Sequence, residues 1–472
     1  MKLRIIVVTG ATMLAACASS PSLRREVESG LRPPVVVASD DLTEFSLEGR
    51  RAEYQVPAMS IAIARNGRLS WMGAYGEGVD PTTVFQVASL SKAVSAVGVL
   101  KLAAEYGIDL DENIASRFTS VRAEEIAPKG LAITLRGLLS HTAGVVPTDF
   151  AGYAQGAALP KNAQLVHGEP PADSKAIVID PAFKGRFRYC GGGYTLAQVF
   201  AEDVSGEPFE TLMRRLVFAP VGMGNSSFDR PVADDEGRGL KIALGHREDG
   251  AAIEGGWRVY PEMAAAGLWT TAADYLRFLM ALLAAYEGHD DGVSPDIVRQ
   301  MLTVTGDGYG LGVHLDESDA TLERVFHGGG NPGYRSYFAM FPERRDAIVI
   351  MANSEVAYPF IFEVLRGASE VHGWPGTPVR YVVPVTLPRE KLDAYAGVYL
   401  TPNREKRVFT LFVEGGELQG RNASDQPFSI LPIAEDVFVS PGDGREIRFV
   451  PDGDGVSAKI GDRLFPKRIR SP

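Results

Sequence analysis

Two short apolar runs, far apart in the chain, place the strongest limit on the fold. Residues 58–64 and 347–352 are almost wholly apolar, and each has the length of a buried β-strand. An Asn-Gly pair at 66–67 predicts a hairpin turn, with a returning strand over residues 68–75. Residues 325–342 predict a further strand beside the second run. The sheet is therefore expected to draw on both ends of this region, in a mixed α/β or α+β fold.

Helical patterns lie between these strands. Apolar residues recur at helical spacing after Ser89, and Gly107 is placed to end that helix. Thr271 is followed three residues later by Asp274, a variant of the capping box that opens a helix. Residues 146–188 are rich in Pro, Gly and Ala and predict a loop that covers a site. The predicted helices span residues 89–106, 134–139, 195–204 and 271–285.

The character of the chain changes near residue 387. From there, short strand-like runs alternate with Gly-Gly and Asp-Gly turns up to about residue 450. Prolines cluster over residues 375–386, which predicts a domain boundary there. We therefore expect a main domain over residues 41–375 and a small all-β domain over residues 383–472.

The first residues have the features of an export signal. Lys2 and Arg4 precede an apolar stretch that is too short to span a membrane permanently. The Leu-Ala-Ala-Cys sequence that ends at Cys17 resembles a bacterial lipobox, in which the cysteine becomes the lipidated N-terminus. We expect a lipoprotein signal peptide over residues 1–17, a tether over residues 18–40, and an anchor in the outer membrane on its periplasmic side. A plain signal peptide with an incidental cysteine is the alternative.

Composition and charge exclude some classes of function. The chain has 472 residues and a formal net charge of −11, whereas nucleic-acid binding needs a basic surface. The seven histidines show no metal-ligand spacing, so neither a metal site nor a cofactor is predicted. If Cys17 is lipidated, Cys190 is left as a free thiol without an intrachain partner. The oligomeric state is left open.

Ser89 and Lys92 form the first candidate site. They lie three residues apart at the head of a predicted helix, so both side chains share one helical face. A serine hydroxyl is a weak nucleophile until a neighbouring group takes its proton, and a neutral lysine one turn along can do so. The Ser-x-x-Lys pattern alone is weak, because it is expected by chance in a chain of this length.

Further segments strengthen this pattern. Tyr189 comes just before a glycine-rich turn at 191–193, where bare backbone can approach a pocket closely. His327 leads a second glycine-dense run on a predicted strand. Residues 140–144 are Ser-His-Thr-Ala-Gly at a predicted helix end, and residues 267–271 are Gly-Leu-Trp-Thr-Thr.

The order of these motifs, from Ser-x-x-Lys to His-x-Gly, resembles that of the penicillin-recognising serine hydrolases. This group includes class C β-lactamases, family VIII carboxylesterases, D-aminopeptidases and low-molecular-weight penicillin-binding proteins. The resemblance covers about residues 40–370. It implies a β-lactamase-like antiparallel sheet flanked by helices, with an all-helical subdomain. The tail resembles the small lipocalin-like β-barrel domain that some of these hydrolases carry.

The resemblance implies a role for each matching residue. Ser89 is implied as the nucleophile that forms an acyl-enzyme, with Lys92 and Tyr189 as joint candidates for general base and proton shuttle. The backbone N–H groups of Ser89 and Gly330 are implied as the oxyanion hole. His327 takes the place of the lysine in the Lys-Thr-Gly element of the family and is implied as a catalytic residue. The residues implied to face the substrate are Gly191, Gly328, Gly329, Arg335 and Trp269.

Two departures from the family pattern bear on the substrate. Gly191 stands where Tyr-x-Asn has its asparagine, and His327 removes a fixed positive charge. Both changes weaken the case for β-lactam hydrolysis. The chain has no Gly-x-Ser-x-Gly elbow, so an α/β-hydrolase esterase is not favoured. We expect a serine hydrolase that cleaves an ester or small amide. The alternatives are a D-amino-acid peptidase or amidase acting on D-peptides or cell-wall fragments, a β-lactamase-like enzyme, and a lipoprotein that binds a peptidoglycan-like ligand without turnover.

Several of these residues also have non-catalytic interpretations. Tyr189 and His327 fit packed core side chains as well. His141 is expected to be structural, because a helix end favours a side chain that caps carbonyls. Trp269 either packs in the core or lines the cleft wall. Arg335 follows the His-x-Gly strand, and it either replaces the missing lysine as a carboxylate anchor or is solvated.

Overall fold

The computed structural model describes residues 21–40, 42, 45–146, 150–228, 241–318, 321–403, 405–453 and 455–468. The predicted signal peptide and Cys17 lie outside these residues, so export and lipidation stay predictions. Within the described ranges, no helix is both long and apolar enough to cross a bilayer.

Helices and strands alternate through most of the described chain. The helices are α1 (Pro21–Ser29), α2 (Leu47–Glu53), α3 (Ser91–Glu105), α4 (Ala123–Ile126), α5 (Leu135–Leu139), α6 (Asn162–His167), α7 (Gly191–Ser205), α8 (Phe209–Met213), α9 (Ala219–Val221), α10 (Met263–Ala266), α11 (Ala272–Tyr286), α12 (Pro295–Met301), α13 (Tyr358–His372) and α14 (Arg389–Tyr395). The strands are β1 (Val35–Val37), β2 (Ala58–Arg65), β3 (Arg68–Gly76), β4 (Phe85–Gln86), β5 (Trp269–Thr270), β6 (His314–Ser318), β7 (Thr321–Asn331), β8 (Tyr334–Phe341), β9 (Asp346–Ala352), β10 (Arg380–Val382), β11 (Gly397–Leu400), β12 (Arg407–Glu414), β13 (Glu417–Asn422), β14 (Pro427–Ser429), β15 (Leu431–Ala434), β16 (Val437–Val439), β17 (Glu446–Asp452), β18 (Gly455–Ile460) and β19 (Arg463–Pro466).

The central sheet is antiparallel, with the strand order β3-β2-β9-β8-β7-β6. Strand β2 lies beside β9, and Ile61 is opposite Ile350. The structure thus confirms a sheet built from both ends of the region and the predicted mixed α/β class. Strands β2 and β9 are buried along almost their whole length, because helices cover both faces of the sheet.

Alternation along the strands divides the core into two layers. Met59, Ile61 and Ile63 face a layer that includes α13, whereas Ala62 and Ala64 face the layer that includes α3 and α11. This is the period of two expected of a strand with two covered faces. Helix α3 is buried along most of its length, and α7 and α10 pack against it. The start of α3 and the turn before it therefore belong to the larger core layer.

Residues 325–342 were predicted to form a single strand, and this prediction is wrong because they lie in two strands. Strands β7 and β8 form a hairpin in which Asn331 is opposite Tyr334. Pro332 has no N–H to donate to a ladder, and Gly333 has a φ of +84°, which a tight turn requires. The turn at this Pro-Gly pair was not predicted.

The helix predicted over residues 195–204 begins earlier than expected, at Gly191. The glycines at 191–193 are therefore the first turn of α7, and the prediction of a glycine-rich turn outside the helix is wrong. At Gly193 an added Cβ would lie 2.9 Å from the carbonyl oxygen of Leu138 on α5. This glycine serves close packing of two helices.

The tether predicted over residues 18–40 is wrong for its described part. Val27 on α1 and Leu31 after it are fully buried, and α1 packs against α13. Strand β1 pairs in parallel with β10, which joins this segment to the region where the main domain ends. Val27 and Leu31 lie four residues apart, a helical spacing that the Ser- and Pro-rich composition obscured.

The C-terminal residues form two antiparallel sheets. One contains β11-β12-β13-β14 and the other β15-β16-β17-β18-β19. The sheets meet where Tyr399 pairs with Lys467. Short helix α14 precedes them, so the residues from 383 onward are not wholly β. The lipocalin-like resemblance of this region stays a prediction.

Candidate active site

Ser89 lies in a short 3₁₀ turn, residues 88–90, just before α3. The preceding Ala88 has a φ of +51°, a left-handed conformation that costs an alanine roughly 1–2 kcal/mol. Hydrogen bonds hold this strained turn: Ser336 Oγ donates to Val87 O at 2.8 Å, and Tyr275 Oη donates to Leu90 O at 3.0 Å. Ser89 is half-buried, so solvent reaches part of this residue.

Lys92 points at Ser89 from the first turn of α3. Its Nζ donates to Ser89 Oγ at 3.0 Å and to Ala265 O at 2.8 Å. The same nitrogen lies 5.0 Å from the ring centre of Tyr189 and 5.6 Å from that of Tyr194. Lys92 is only 2% exposed, so the amine is held among a carbonyl, a hydroxyl and two aromatic faces. The structure therefore brings Ser89 and Lys92 together as the helical spacing predicted.

Helix α10, which supplies the Ala265 carbonyl, begins after a buried carboxyl group. Glu262 is fully buried, and neither of its carboxyl oxygens has a hydrogen-bond partner in another described residue. Burial raises the pKa of Glu262 to about 7, and the nearby charge of Asp173 adds to this effect. The carboxyl group therefore titrates near neutral pH, beside the segment that positions Lys92.

Tyr189 lies close to Lys92, just before α7. Its side chain is 41% exposed, and its ring centre lies 4.6 Å from that of His141 and 5.9 Å from that of His327. The backbone N–H of Cys190 donates to His141 Nδ1 at 3.2 Å. His141 thus holds the segment that carries Tyr189. It accepts from a backbone N–H, whereas the sequence analysis expected it to cap carbonyls.

His327 is buried beside this group, with 2% of its surface exposed. Its Nδ1 lies 2.6 Å from Gly328 O, a pure acceptor, so Nδ1 carries the hydrogen. Tyr309 Oη lies 3.3 Å from Nε2 and donates to it. Burial, with the Lys92 charge second, holds the pKa of His327 well below its ordinary value. The ring is therefore neutral near pH 7, unlike the lysine that it replaces.

Burial likewise holds the pKa of His141 well below its ordinary value, with the charge of Lys92 again contributing. His141 and His327 are therefore both uncharged at neutral pH.

The glycines after His327 let β7 lie directly against the Ser89 turn. A Cβ on Gly329 would fall 2.3 Å from Val87 O and 2.4 Å from Ser336 Oγ, so only glycine fits. A Cβ on Gly330 would meet nothing closer than 3.4 Å, the guanidinium end of Arg335. The backbone edge at Gly330 is therefore open beside the Ser89 turn.

The space beside Gly191 is filled from the covering loop. A Cβ on Gly191 would lie 2.3 Å from Cε2 of Phe150. The phenyl ring thus occupies the place where an asparagine side chain would stand. At the other wall, a Cβ on Gly328 would lie 3.2 Å from the hydroxyl oxygen of Tyr358. The Phe150 ring and the Tyr358 hydroxyl therefore occupy the space beside these two glycines.

Arg335 lies beside Gly330, its pairing partner across the β7–β8 ladder. Nη1 donates to Asn331 O at 2.9 Å and to Tyr334 O at 2.8 Å, and Cζ lies 5.5 Å from the ring centre of Tyr358. No ion pair joins Arg335 to a carboxylate of a described residue. The guanidinium is partly buried and ordered by backbone, which differs from a simply solvated side chain.

Trp269 packs in a buried aromatic cluster and is 5% exposed. Its ring meets Trp257 at 5.5 Å and Tyr334 at 5.9 Å between centres, both edge to face. It also lines a cavity of about 320 Å³ whose walls include none of Ser89, Lys92 and Tyr189. The contacts of Trp269 are thus core contacts, one of the two interpretations that the sequence left open.

Some residues of the site were missed by the sequence analysis. Tyr309 donates to His327, Phe150 fills the space beside Gly191, and Ala265 binds Lys92 through a backbone carbonyl. Phe150 stands in a loop, and a carbonyl has no sequence signature at all. These contacts depend on segments that meet only in the folded chain.

A family model described as β-lactamase matches residues 46–364. Penicillin-binding protein 4 of Amycolatopsis lactamdurans is 26% identical over 349 residues, covering 67% of this chain and 86% of that protein. The protein flp of Staphylococcus aureus strain N315 is 22% identical over 326 residues, covering 64% of this chain and 61% of that protein. The chain thus spans under two thirds of the length of flp.

Two solved structures have a similar fold over most of this chain. A structure of the octameric penicillin-binding protein homologue from Pyrococcus abyssi has a TM-score of 0.59 at 21% identity, and covers 89% of this chain and 98% of that chain. A crystal structure of SurE has a TM-score of 0.56 at 22% identity, and covers 95% of this chain and 100% of that chain. At these identities the likeness shows a shared fold alone.

Proposed function

This chain belongs to the β-lactamase family, whose members are serine hydrolases of the penicillin-binding type, and from that premise we propose that it cleaves an ester or a small amide through an acyl-Ser89 intermediate. The observation that carries the proposal is the 3.0 Å contact between Lys92 Nζ and Ser89 Oγ in a buried setting. A hydroxyl this close to a buried amine has a path for its proton.

The proposed reaction begins with transfer of the Ser89 proton to the neutral amine of Lys92, with Tyr189 as the second candidate acceptor. Ser89 Oγ attacks the substrate carbonyl and forms a tetrahedral intermediate. The proton then passes to the leaving group as its bond to carbon breaks. Water repeats the sequence on the acyl-enzyme, releases the acid and restores the Ser89 hydroxyl.

The negative oxygen of the intermediate needs donors at a fixed place. We assign these to the backbone N–H groups of Ser89 and Gly330, because β7 lies against the Ser89 turn and its edge at Gly330 is open. One such donor contributes about 3 kcal/mol to lowering the barrier. The strained Ala88 supports this assignment, since strain at a nucleophile turn is retained where it aims a reacting group.

The side chains around the proposed active site favour a substrate with an apolar acyl group. Phe150 stands where an amide would bind a substrate amide, and His327 is neutral where a lysine would bind a carboxylate. Ester or small-amide substrates fit this pair of changes better than β-lactams do.

A D-amino-acid peptidase is the second candidate, and one observation favours it. Arg335 offers a guanidinium at the Gly330 edge and pairs with no carboxylate of a described residue. A substrate that carries a free carboxylate would find its counter-charge there.

The test uses the chain from residue 18 onward with p-nitrophenyl acetate and butyrate. Ser89→Ala is expected to lower kcat/KM by at least about a thousandfold. Ser95→Ala is the matched control, because Ser95 is a buried serine of α3, the helix that Ser89 precedes, and its hydroxyl has no partner in another described residue. Equal rates in Ser89→Ala and the unchanged chain would refute the nucleophile.

Lysine variants test the proton path in the same assay. Lys92→Met is expected to remove most activity, whereas Lys101→Met is expected to retain it. Lys101 lies on the same helix, and its amine also donates two hydrogen bonds, to the carbonyls of Leu216 and Gly292. Labelling of Ser89 by a fluorophosphonate without turnover of any ester would favour the ligand-binding alternative. Release of D-alanine from D-peptides would favour the peptidase.

We also propose that the chain is an exported lipoprotein, on the strength of residues 1–17 alone. Cys17→Ala in cells is expected to move the protein from the membrane fraction to the soluble fraction. An unchanged membrane fraction would contradict the lipid anchor and leave the enzyme assignment intact.

A further inference from the structure

A cleft of about 620 Å³ lies between the central sheet and the C-terminal β region. Phe326 on β7 and Phe362 on α13 line it, together with a turn at residues 443–444. Phe326 and His327 are neighbours on a strand, so their side chains point to opposite faces of the sheet. The cleft is therefore separate from the Ser89 site, on the other side of the same strand.

The cleft gathers more positive charge than the described residues neutralise. Arg324, Arg366 and Arg380 all line it. Arg324 pairs with Asp316, and Arg380 pairs with Glu446 at 3.1 Å. Arg366 forms no ion pair with a described residue.

The one acidic side chain in the wall of the cleft is already engaged. Asp443 lines the cleft, but it is paired with Arg445, which lies outside it. One guanidinium is therefore left over in a chain whose formal net charge is −11.

The partial burial of the Arg366 guanidinium in this position is unfavourable. Its one hydrogen bond to a described residue is long, from Nη1 to Arg32 O at 3.5 Å. Burial lowers the pKa of Arg366, and the nearby charge of Glu363 opposes this effect only in part. Glu363, one turn before it on α13, is already bonded to both Arg50 and Tyr54. A half-buried guanidinium with free donors is best satisfied by a carboxylate.

Aromatic rings supply the second half of a binding site. Phe326 and Phe362 are only partly buried, although each packs against the core around Tyr337. Arg324 lies over the Phe326 ring, with Cζ 4.4 Å from its centre. Apolar rings that converge with a few charged groups in a concave space are typical of small-molecule sites.

We propose that this cleft binds a small organic carboxylate with an apolar body, which pairs with Arg366 and packs on Phe326 and Phe362. The ligand would bridge the central sheet and the C-terminal β region, because residues from both form the walls. The inference uses no atom of Ser89, Lys92 or Tyr189, so it stands apart from the proposed hydrolase chemistry.

The test is calorimetric titration of the full-length chain with 2-naphthoate, and with the neutral 2-naphthamide as the matched ligand. We expect saturable binding of the carboxylate, weakened at least about tenfold in the amide and in Arg366→Gln. Arg389→Gln is the control variant and is expected to bind as the unchanged chain does, because Arg389 is exposed on α14 and paired with Asp393. Equal affinity in Arg366→Gln, or no saturable binding at all, overturns the proposal.

Two further measurements keep the test decisive. Val379→Glu places a carboxylate in the wall of the cleft and is expected to compete with the ligand without lowering the unfolding midpoint. If Arg366→Gln does not fold, unchanged binding in Val379→Glu overturns the proposal instead. Chain labelled by a fluorophosphonate is expected to bind 2-naphthoate as tightly as before. Loss of binding on labelling would place the ligand at Ser89 and refute the separate site.

Discussion

Glu262 should make the stability of this protein fall as the pH rises through neutrality. Its carboxyl group is fully buried and has no hydrogen-bond partner in another described residue, which raises its pKa to about 7. In the unfolded chain the same group is expected to titrate near 4.5, its ordinary value. Glu262→Gln keeps the size of the side chain and removes the ionisation.

The expected magnitude follows from the difference between these two pKa values. Between pH 4.5 and about 7 the folded state holds a proton that the unfolded state has lost. Stability then decreases by about 1.4 kcal/mol for each unit of pH, and the loss is complete above the folded pKa. The total is about 3 kcal/mol, present as extra stability below pH 4.5 and absent by about pH 8.

The assay is urea unfolding of the two chains at about pH 5 and about pH 8. Other ionisable groups are common to both chains, so they cancel when the variants are compared at one pH. Glu262→Gln is expected to be close to the unchanged chain at the lower pH and more stable by about 3 kcal/mol at the higher pH. Glu254→Gln, a change at an exposed glutamate, is the control and is expected to show no such gain.

A constant difference between Glu262→Gln and the unchanged chain at both pH values would refute the reasoning. It would mean that the carboxylate is compensated in the folded state and carries no burial penalty. An altered slope against urea would point instead to a change in the surface exposed on unfolding, and only the comparison at equal slope counts.

Two further predictions concern packing and a buried ion pair. Gly329→Ala is expected to cost about 1–3 kcal/mol of stability and most of the activity, because its Cβ would fall 2.3 Å from the Val87 carbonyl; Gly330→Ala, with open space, should cost far less. Similar unfolding midpoints for the two would contradict this. Glu363→Ala is expected to cost about 3–5 kcal/mol, because it leaves Arg50 without the carboxylate that its Nε and Nη2 bind. Chemical unfolding measures this, and a loss below about 1 kcal/mol would contradict it.

Much of the central sheet was predictable because its strands have strong sequence patterns. The apolar runs of β2 and β9 match buried strands, and the Asn-Gly turn at 66–67 joins β2 to β3 as expected. Thr271 caps α11 by accepting from the N–H of Asp274 at 3.1 Å. Such signals are local, since a strand period or a cap involves residues that are close in sequence.

The errors in the fold arose where local composition and tertiary packing disagree. A Ser- and Pro-rich composition suggested a tether, but Val27 and Leu31 are buried against α13. The glycine run at 191–193 suggested a turn before the helix, but these residues are the start of α7 and pack closely against α5. Burial against a distant element outweighs weak local preference.

Within the site, the sequence by itself determined the pairing of Ser89 with Lys92, because three residues on a helix fix two side chains on one face. It also showed that the lysine and the asparagine of the family pattern are replaced. Only the tertiary structure decided that Lys92 binds the carbonyl of Ala265 and that His327 accepts from Tyr309. Those contacts join segments that are distant in the chain, and the packing of the folded core, which no local pattern records, brings their atoms within bonding distance.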